Sequence, residues 1–321
     1  MKILIADDSI VSRHLLEATL RRWGYEVLVA CDGAEALDIL ERDDAPSLII
    51  LDWMMPGMTG VEVCRRIRQR SSEPYTYVLL LTSKSQKEDL IEGMEAGADD
   101  YVTKPFDQNE LQVRLRAGTR LVDLQAQLLK AREELREQAT HDSLTHLWNR
   151  SSILSELGRE LARSERDARP MGVVIVDLDH FKQVNDTYGH LAGDAVLREA
   201  ARRMQNGIRQ YDSLGRYGGE EFLILFPGCT EEESYAQADR LRKQISQPEM
   251  SVNDCPLRVT ASFGVTVAQP GEIYTPEVLI RKADEALYIA KKSGRNRVEL
   301  LGSESHSASL SAPAETAAVF P

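Results

Sequence analysis

Five positions in the first third of the chain carry groups suited to handling phosphate: Asp7, Asp8, Asp52, Thr82 and Lys104. Each closes or follows a short apolar run: KILIA before the aspartate pair, LIIL before Asp52, VLLL before Thr82, and YV shortly before Lys104. In an open sheet of parallel strands, such carboxyl-terminal strand ends converge on one crevice. Aspartates crowded there repel one another unless a hard cation sits among them, and an all-oxygen donor set suits Mg²⁺. An acidic nucleophile, a divalent cation, a hydroxyl and a lysine can together accept and hold a phosphoryl group. Any one of these residues alone would be an ordinary strand-end residue, so the reading rests on all of them in this order.

A second constellation comprises VVIVDLDHFKQVNDTYGHLAGD, from Val173 to Asp194, and RYGGEEFLILF, from Arg216 to Phe226. Asp177 falls at a strand end, and Glu220 and Glu221 fall in or just after a turn that Gly218 and Gly219 make possible. If the two strands are neighbours, these carboxylates meet Asp177 at one edge of the sheet, where oxygen ligands hold Mg²⁺ against a triphosphate. Alone, GGEE would be only a polar hairpin turn; its coincidence with Asp177 and with the Asn185/Asp194 pair argues against that. Asn185 can exchange hydrogen bonds with a purine. An ionised Asp194 can accept from the ring N–H and exocyclic amine of guanine, a donor pair that adenine lacks.

These groups need elements to position them. Strands are expected at Lys2 to Ala6, Glu26 to Ala30, Leu48 to Leu51, Tyr77 to Leu81 and Tyr101 to Val102. Helical periodicity fills the intervals near Ile10 to Trp23, Gly33 to Glu41, Thr59 to Gln69, Lys87 to Ala96, and from Asn109 onward. Apolar strands without alternation have both faces covered, so residues 1–118 are expected to form a doubly wound parallel sheet. From Asp107 to Thr140 there is no Pro and one Gly, at 118, which predicts a long helix. Leu121, Leu124, Leu128, Ala131 and Leu135 follow the a/d spacing of a short coiled coil, so residues 119–140 are expected to be a stalk in a parallel homodimer. The competing reading is one helix lying on its own domain.

Residues 141–302 form a second domain in which MGVVIVD, EFLILF and PLRVTASFGVTVA are the strand candidates. Alternating apolar positions and the near-hairpin at GGEE predict an α/β domain with a mixed or largely antiparallel central sheet. Residues 303–321, SESHSASLSAPAETAAVFP, are expected to be a disordered tail.

The chain of 321 residues is long enough for two cores. A hydrophobic fraction of 42% and a charged fraction of 28% argue against global disorder. A formal charge of -12 argues against nonspecific nucleic-acid binding while allowing a local basic pocket for a small phosphorylated ligand. MKILIADDS is too short an apolar start for a signal peptide, and no segment approaches the roughly 20 apolar residues of a membrane span, which points to the cytoplasm. Cys31, Cys64, Cys229 and Cys255 lack metal-ligand spacing and are read as reduced structural thiols.

Residues 1 to 120 resemble the response-regulator receiver family in the Asp7-Asp8 pair, the D-x-x-M-P-x-x-x-G run from Asp52 to Gly60, Thr82-Ser83 and Lys104-Pro105-Phe106. The resemblance implies phosphorylation of Asp52 by a histidine kinase or another phosphodonor. It also implies one Mg²⁺ held by Asp7, Asp8, Asp52 and the Met54 carbonyl, contacts from Thr82 and Lys104 to the acyl phosphate, and Tyr101 as an aromatic switch.

Residues 141 to 302 resemble the GGDEF diguanylate cyclases. The signature stands here as Gly218-Gly219-Glu220-Glu221-Phe222, preceded by D-S-L-T-H-L-W-N-R, Asp142 to Arg150, with His146 where the family often has Gly. D-x-D-x-F-K-x-x-N-D, Asp177 to Asp186, and G-H-x-x-G-D, Gly189 to Asp194, are intact. The resemblance implies two GTP molecules joined into cyclic di-GMP by two domains face to face, with two Mg²⁺ per site on Asp177, Glu220, Glu221 and the Leu178 carbonyl. Phe181 and Lys182 would approach phosphate through backbone amides, and Lys291 and Arg295 of KKSGRN would add positive charge, unless that stretch is only a solvated helix end. Glu220 and Glu221 are the local candidates for the general base. Arg209-Gln210-Tyr211-Asp212 resembles the R-x-x-D product-inhibition site, against the plainer reading of a charge pair on a helix. Arg240 is a secondary contact from a neighbouring domain, and Arg163 a weaker one. Two further functions compete with the enzyme: a catalytically silent cyclic di-GMP sensor and a phosphorylation-dependent scaffold.

Overall fold

The computed structural model describes residues 1–42, 44–69, 75–83, 87–252 and 255–302; the tail expected at 303–321 lies outside them. The chain divides into two compact units between Leu135 and Arg136.

The first unit alternates strand and helix: β1 (Lys2–Ala6), α1 (Ile10–Arg22), β2 (Glu26–Ala30), α2 (Gly33–Leu40), β3 (Leu48–Asp52), α3 (Gly60–Gln69), β4 (Tyr77–Thr82), α4 (Lys87–Glu95) and β5 (Asp100–Thr103). The strands pair in parallel in the order β2-β1-β3-β4-β5. Every residue of β3 and β4 is buried, because alternate side chains pack into two separate cores, one on each face. Ser9 and Asp32 accept from the first-turn amides of α1 and α2, which fixes where the chain leaves β1 and β2.

Helix α5 (Gln108–Thr140) has 33 residues and is about 50 Å long at the α-helical rise. Its first turns bury Leu111, Leu115, Gly118 and Val122 against the parallel sheet, while Leu121, Leu124, Leu128 and Leu135 are exposed. The helix therefore lies on its own unit as far as Val122 and presents a spaced leucine row beyond it.

In the second unit follow α6 (Arg150–Asp167), β6 (Met171–Leu178), α7 (Phe181–Tyr188), α8 (His190–Gly207), β7 (Ser213–Gly218), β8 (Glu221–Pro227), α9 (Glu231–Ser246), β9 (Met250–Val252), β10 (Cys255–Leu257), β11 (Ala261–Ala268), α10 (Pro276–Lys292) and β12 (Val298–Leu301). The central sheet runs β12-β11-β6-β8-β7 and is mixed, with only β11 and β12 parallel. One core lies on the face covered by α8 and α9, the other on the face covered by α6 and α10.

Two details differ from the sequence reading. Strand β6 is central, hydrogen-bonded to β11 on one side and β8 on the other, so Asp177 sits at a strand end in mid-sheet and not at a sheet edge. The run PLRVTASFGVTVA is two strands, β10 and β11. Val259 drops into the core and the Thr260 carbonyl accepts from the Asp179 amide at 2.8 Å, which interrupts the extended run. Cys31, Cys64 and Cys229 are free thiols. No helix among the described residues is long and apolar enough to cross a membrane.

Candidate functional site

The parallel sheet brings Asp7, Asp52, Thr82 and Lys104 to one end, since they close or follow β1, β3, β4 and β5. Asp7 and Thr82 are fully buried and Asp52 nearly so. Lys104 Nζ lies 2.8 Å from Asp7 Oδ2 and 2.9 Å from Asp52 Oδ2, forming one ammonium between two carboxylates. Asp7 is further held by the Ser9 amide at 2.8 Å and by the Ser12 hydroxyl at 2.6 Å. Burial pushes the Asp52 carboxyl above its usual range, Lys104 opposes that, and the Asp7 and Asp8 charges reinforce it. Burial pulls the Lys104 ammonium down, but its bonds to Asp7 and Asp52 outweigh burial and leave it raised.

Oxygens of Asp7, Asp8 and Asp52 lie within 4.8 Å of one another. An all-oxygen trio at that spacing, with mutual repulsion to relieve, fits a hard divalent cation. Met54, two residues past Asp52, has an exposed side chain. Tyr101 is half-buried on β5, in register with Leu80 of β4.

In the second unit, antiparallel pairing makes Asp177 of β6 the direct partner of Glu221 of β8. Cross-strand partners project from the same face, so the two carboxylates stand together on the α6/α10 side. The turn between β7 and β8 is tight, with Gly219 at φ 51°, in the left-handed region. Glu220 is carried in this turn, and its carbonyl accepts from the Leu178 amide at 3.4 Å. Lys291, from the last turn of α10, places Nζ 2.8 Å from Asp177 Oδ2. Burial raises the Asp177 pKa, Lys291 opposes it, and Glu220 and Asp179 add to the rise. Burial likewise raises Glu221, followed by the charge of Asp177. These carboxylates destabilise one another's charge, and Lys291 is the cation that answers Asp177; among the described residues, only Asp7, Asp8 and Asp52 bring three carboxylate oxygens to metal-ligand spacing.

Beside this cluster, no side chain caps α7, which starts at Phe181 after His180 in a left-handed conformation. Its first amides are the backbone donors expected from Phe181 and Lys182. Asn185 lies on α7 and Asp194 on α8, two helices packed on each other. Gly193 leaves room for Asn185 there, because a Cβ at that position would come 1.9 Å from Asn185 Oδ1 and push that side chain aside. Arg295 is exposed just past α10. A cleft of about 660 Å³ opens beside Glu221, lined also by Arg150, Tyr217 and Asp284.

The Arg209–Asp212 segment is not on a helix. Helix α8 ends at Gly207, and residues 209–212 form a turn closed by Arg209 N–H to Asp212 Oδ2 at 2.8 Å and by Asp212 N–H to the Arg209 carbonyl at 3.1 Å. Asp212 Oδ1 is buried without a hydrogen-bond partner, and burial raises this carboxyl's pKa. Arg209 lies over the Tyr211 ring and lines a 390 Å³ cleft together with Arg163 of α6. Arg240, on α9, does not line that cleft; it donates to the Gly207 carbonyl at 2.7 Å, close enough for its charge to act on Asp212. Within one chain, therefore, Arg163 is the arginine that joins Arg209, whereas sequence reasoning ranks it below Arg240.

Sequence reasoning also assigns nothing to Arg216. Its guanidinium pairs with both Asp142 oxygens at 3.1 Å and donates to the Gly219 carbonyl at 2.9 Å, bracing the Gly-Gly turn against the DSLTHLWNR segment. A signal exists in the short separation of Arg216 from the glycines, but its partner lies 74 residues away.

A parallel-sheet unit with an aspartate-lysine pocket, followed by a mixed-sheet unit with a Gly-Gly-Glu-Glu turn, is the arrangement of a response regulator with a cyclase output domain. A profile of response regulator receiver domains matches residues 3–116, and that of the diguanylate cyclase GGDEF domain matches residues 139–297. The chain belongs to the GGDEF family of diguanylate cyclases, with a receiver domain ahead of the cyclase domain. It is 28% identical to the response regulator PleD of Caulobacter vibrioides, over 92% of this chain and 98% of that protein. With diguanylate cyclase DgcP of Pseudomonas aeruginosa it shares 36% identity over 65% of this chain and 32% of that one. Among solved structures, the coiled coil and GGDEF domain of DgcB from Caulobacter crescentus, in complex with c-di-GMP, superposes with a TM-score of 0.53 at 32% identity, covering 60% of this chain and 99% of that one. Diguanylate cyclase SiaD of Pseudomonas aeruginosa, in complex with its activator SiaC, gives 0.50 at 38% identity, covering 60% and 74%. Diguanylate cyclases of this family are in general metal-dependent.

Proposed function

We propose that two copies of this chain condense two GTP molecules into cyclic di-GMP with release of two pyrophosphates, under control of phosphorylation at Asp52. The observation that carries the reading is the register of β6 and β8, which makes Asp177 and Glu221 partners with Lys291 closing the cluster.

Asp177, Glu220, Glu221 and the Leu178 carbonyl are the oxygen donors that would hold Mg²⁺, two ions per site. Bound there, Mg²⁺ would neutralise phosphate charge and favour the attacking alkoxide. The uncapped start of α7 offers its Phe181 and Lys182 amides to the phosphates, and Lys291 and Arg295 supply positive charge. Asn185 and Asp194 read guanine, Asp194 accepting from its two edge donors. Each 3′ hydroxyl attacks the α-phosphate of the GTP on the facing domain; Glu220 and Glu221 are the local candidates to take its proton. One domain holds half of the reacting assembly, which makes the dimer obligatory. The leucine row of α5 beyond Val122 supports a parallel pairing of stalks, whose packing a change of state in the receiver would reset. In the receiver, Asp7, Asp8, Asp52 and the Met54 carbonyl would hold one Mg²⁺ while a kinase or other phosphodonor loads Asp52. Thr82 and Lys104 then hold the phosphoryl oxygens, and Tyr101 follows Thr82.

Product inhibition is the second part of the reading. Arg209 and Arg163 share one cleft, and Asp212 closes the turn that presents Arg209 to it. Arg240 is the contribution expected from a neighbouring domain.

The test is mass-resolved product analysis of the full chain with Mg²⁺ and either GTP or ATP, with and without beryllofluoride as the Asp52 phosphoryl mimic. Cyclic di-GMP formed from GTP and increased by the mimic is the expected result. No dinucleotide under any condition would leave the sensor or scaffold, and equal turnover at matched dimer occupancy would remove the phosphorylation switch. Asp177→Asn should abolish product while leaving cyclic di-GMP binding intact.

A further inference from the structure

Asp179 is buried at the end of β6 and faces no cation among the described residues. It is instead saturated by neutral donors: Thr260 Oγ1 at 2.7 Å and Ser262 Oγ at 2.7 Å from β11 and its approach, and the Asn296 amide at 3.0 Å. Asn296 belongs to the loop that carries Arg295 away from α10. Arg295 and Asn296 both have left-handed backbones, φ 60° and 44°, a conformation disfavoured for arginine and tolerated by asparagine that persists where neighbours hold it. The Arg295 amide itself donates to the Ala290 carbonyl of α10 at 3.0 Å, and three neighbours hold the two residues that follow it. Asp179 takes the Asn296 amide, Arg242 of α9 donates to the Asn296 carbonyl at 3.2 Å and to its Oδ1 at 2.9 Å, and the Phe263 amide donates to the Arg297 carbonyl at 2.9 Å.

We propose that Asp179 is a positioning residue for the triphosphate, acting through Asn296 to fix Arg295 beside the Asp177–Lys291 cluster. The strand end that offers Asp177 to Lys291 thus also holds, two residues on, the loop bearing the second cation. This inference rests on the phosphate role assigned above to Lys291 and Arg295. A carboxylate suits the place because its two oxygens accept three donors at once, whereas an apolar side chain would leave a backbone amide and two hydroxyls unpaired.

The experiment compares full-length Asp179→Ala, Asp179→Asn, Arg242→Ala and Arg295→Ala proteins by steady-state kinetics with GTP and by inhibition with two probes, inorganic tripolyphosphate and guanosine. Asp179→Ala should raise the KM for GTP and the inhibition constant of tripolyphosphate together, by about tenfold (~1.4 kcal/mol), and leave the guanosine constant unchanged. Asp179→Asn, which keeps one acceptor oxygen, should recover most of the loss, and Asp179→Ala should add nothing in the Arg295→Ala background. A merely structural role would lower the active fraction, and so kcat, without moving KM or either inhibition constant; that outcome overturns the proposal. If Asp179→Ala does not fold, Arg242→Ala releases the same loop from the other side and must show the same KM signature. Tripolyphosphate inhibition unaffected by Arg295→Ala would instead refute the phosphate role itself. An effect of Arg295→Ala without one from Asp179 or Arg242 would refute only the positioning.

Discussion

Replacing Asp142 by Ala should destabilise the cyclase domain by about 2–3 kcal/mol at pH 7, a magnitude assembled from its bonds. The carboxylate accepts from the Thr145 amide at 2.9 Å and the Thr145 hydroxyl at 2.7 Å, and from Arg216 Nη1 at 3.1 Å on each oxygen. Both side chains of the ion pair are about one-fifth exposed, 18% for Arg216 and 21% for Asp142, so the pair lies between a screened surface bridge and a fully buried one. Removing Asp142 strands a mostly covered guanidinium, although its Nε keeps the Gly219 carbonyl. Asp142→Asn retains an oxygen for Thr145 and should cost about 1 kcal/mol less. The pH dependence has a definite sign. Burial alone would raise the Asp142 pKa, but its hydrogen bonds from Thr145 and the Arg216 charge outweigh burial and leave it lowered. The stabilisation is therefore present above the unfolded carboxylate pKa and is lost as pH falls through the lower folded value. Calorimetry of the full chain, following the cyclase transition, supplies the assay, with an Asp142→Asn/Arg216→Gln double-mutant cycle to isolate the pair. A destabilisation below about 0.5 kcal/mol, or a cycle with no coupling, would refute the reasoning.

Lys104→Met should lower receiver stability at pH 7 by roughly 3 kcal/mol, because it leaves buried Asp7 and Asp52 facing each other without a cation, and it should abolish activation by beryllofluoride. Calorimetry and turnover measure the two effects. In the nucleotide site, Gly193→Ala should raise the KM for GTP by about tenfold, since its Cβ would displace the Asn185 amide oxygen, at a stability cost of about 1–3 kcal/mol from overpacking. Arg163→Ala should weaken product inhibition as strongly as Arg209→Ala while Arg240→Ala leaves binding to a single domain unchanged, measured by cyclic di-GMP titration of a monomeric variant.

The receiver sheet is legible in outline because its strands are short continuous apolar runs and its helices have capped, periodic sequences. LIIL ending in Asp52 and VLLL ending in Thr82 announce both the elements and the crevice. In the cyclase domain, motif order and the GGEE turn are enough to single out Asp177, Glu220 and Glu221. What spacing along the chain leaves open is which strands are neighbours. Only the β6–β8 register makes Asp177 and Glu221 partners, and only the packing of α10 brings Lys291 to within 2.8 Å of a carboxylate far earlier in the chain. The break after Leu257 is hidden for the same reason, since it depends on Thr260 meeting Asp179, 81 residues away.

Sequence by itself determined the local conformations and the chemical inventory, because helix period, strand alternation and caps are set by neighbours a few residues apart. The tertiary structure alone decided that the exposed Arg163 and Arg209 line one cleft, and it alone decided the pairings of Asp142 with Arg216 and Asp179 with Asn296. Those pairings arise when sheet order and helix docking bury distant polar groups together, and a buried polar group must take whatever partner the packing brings to it.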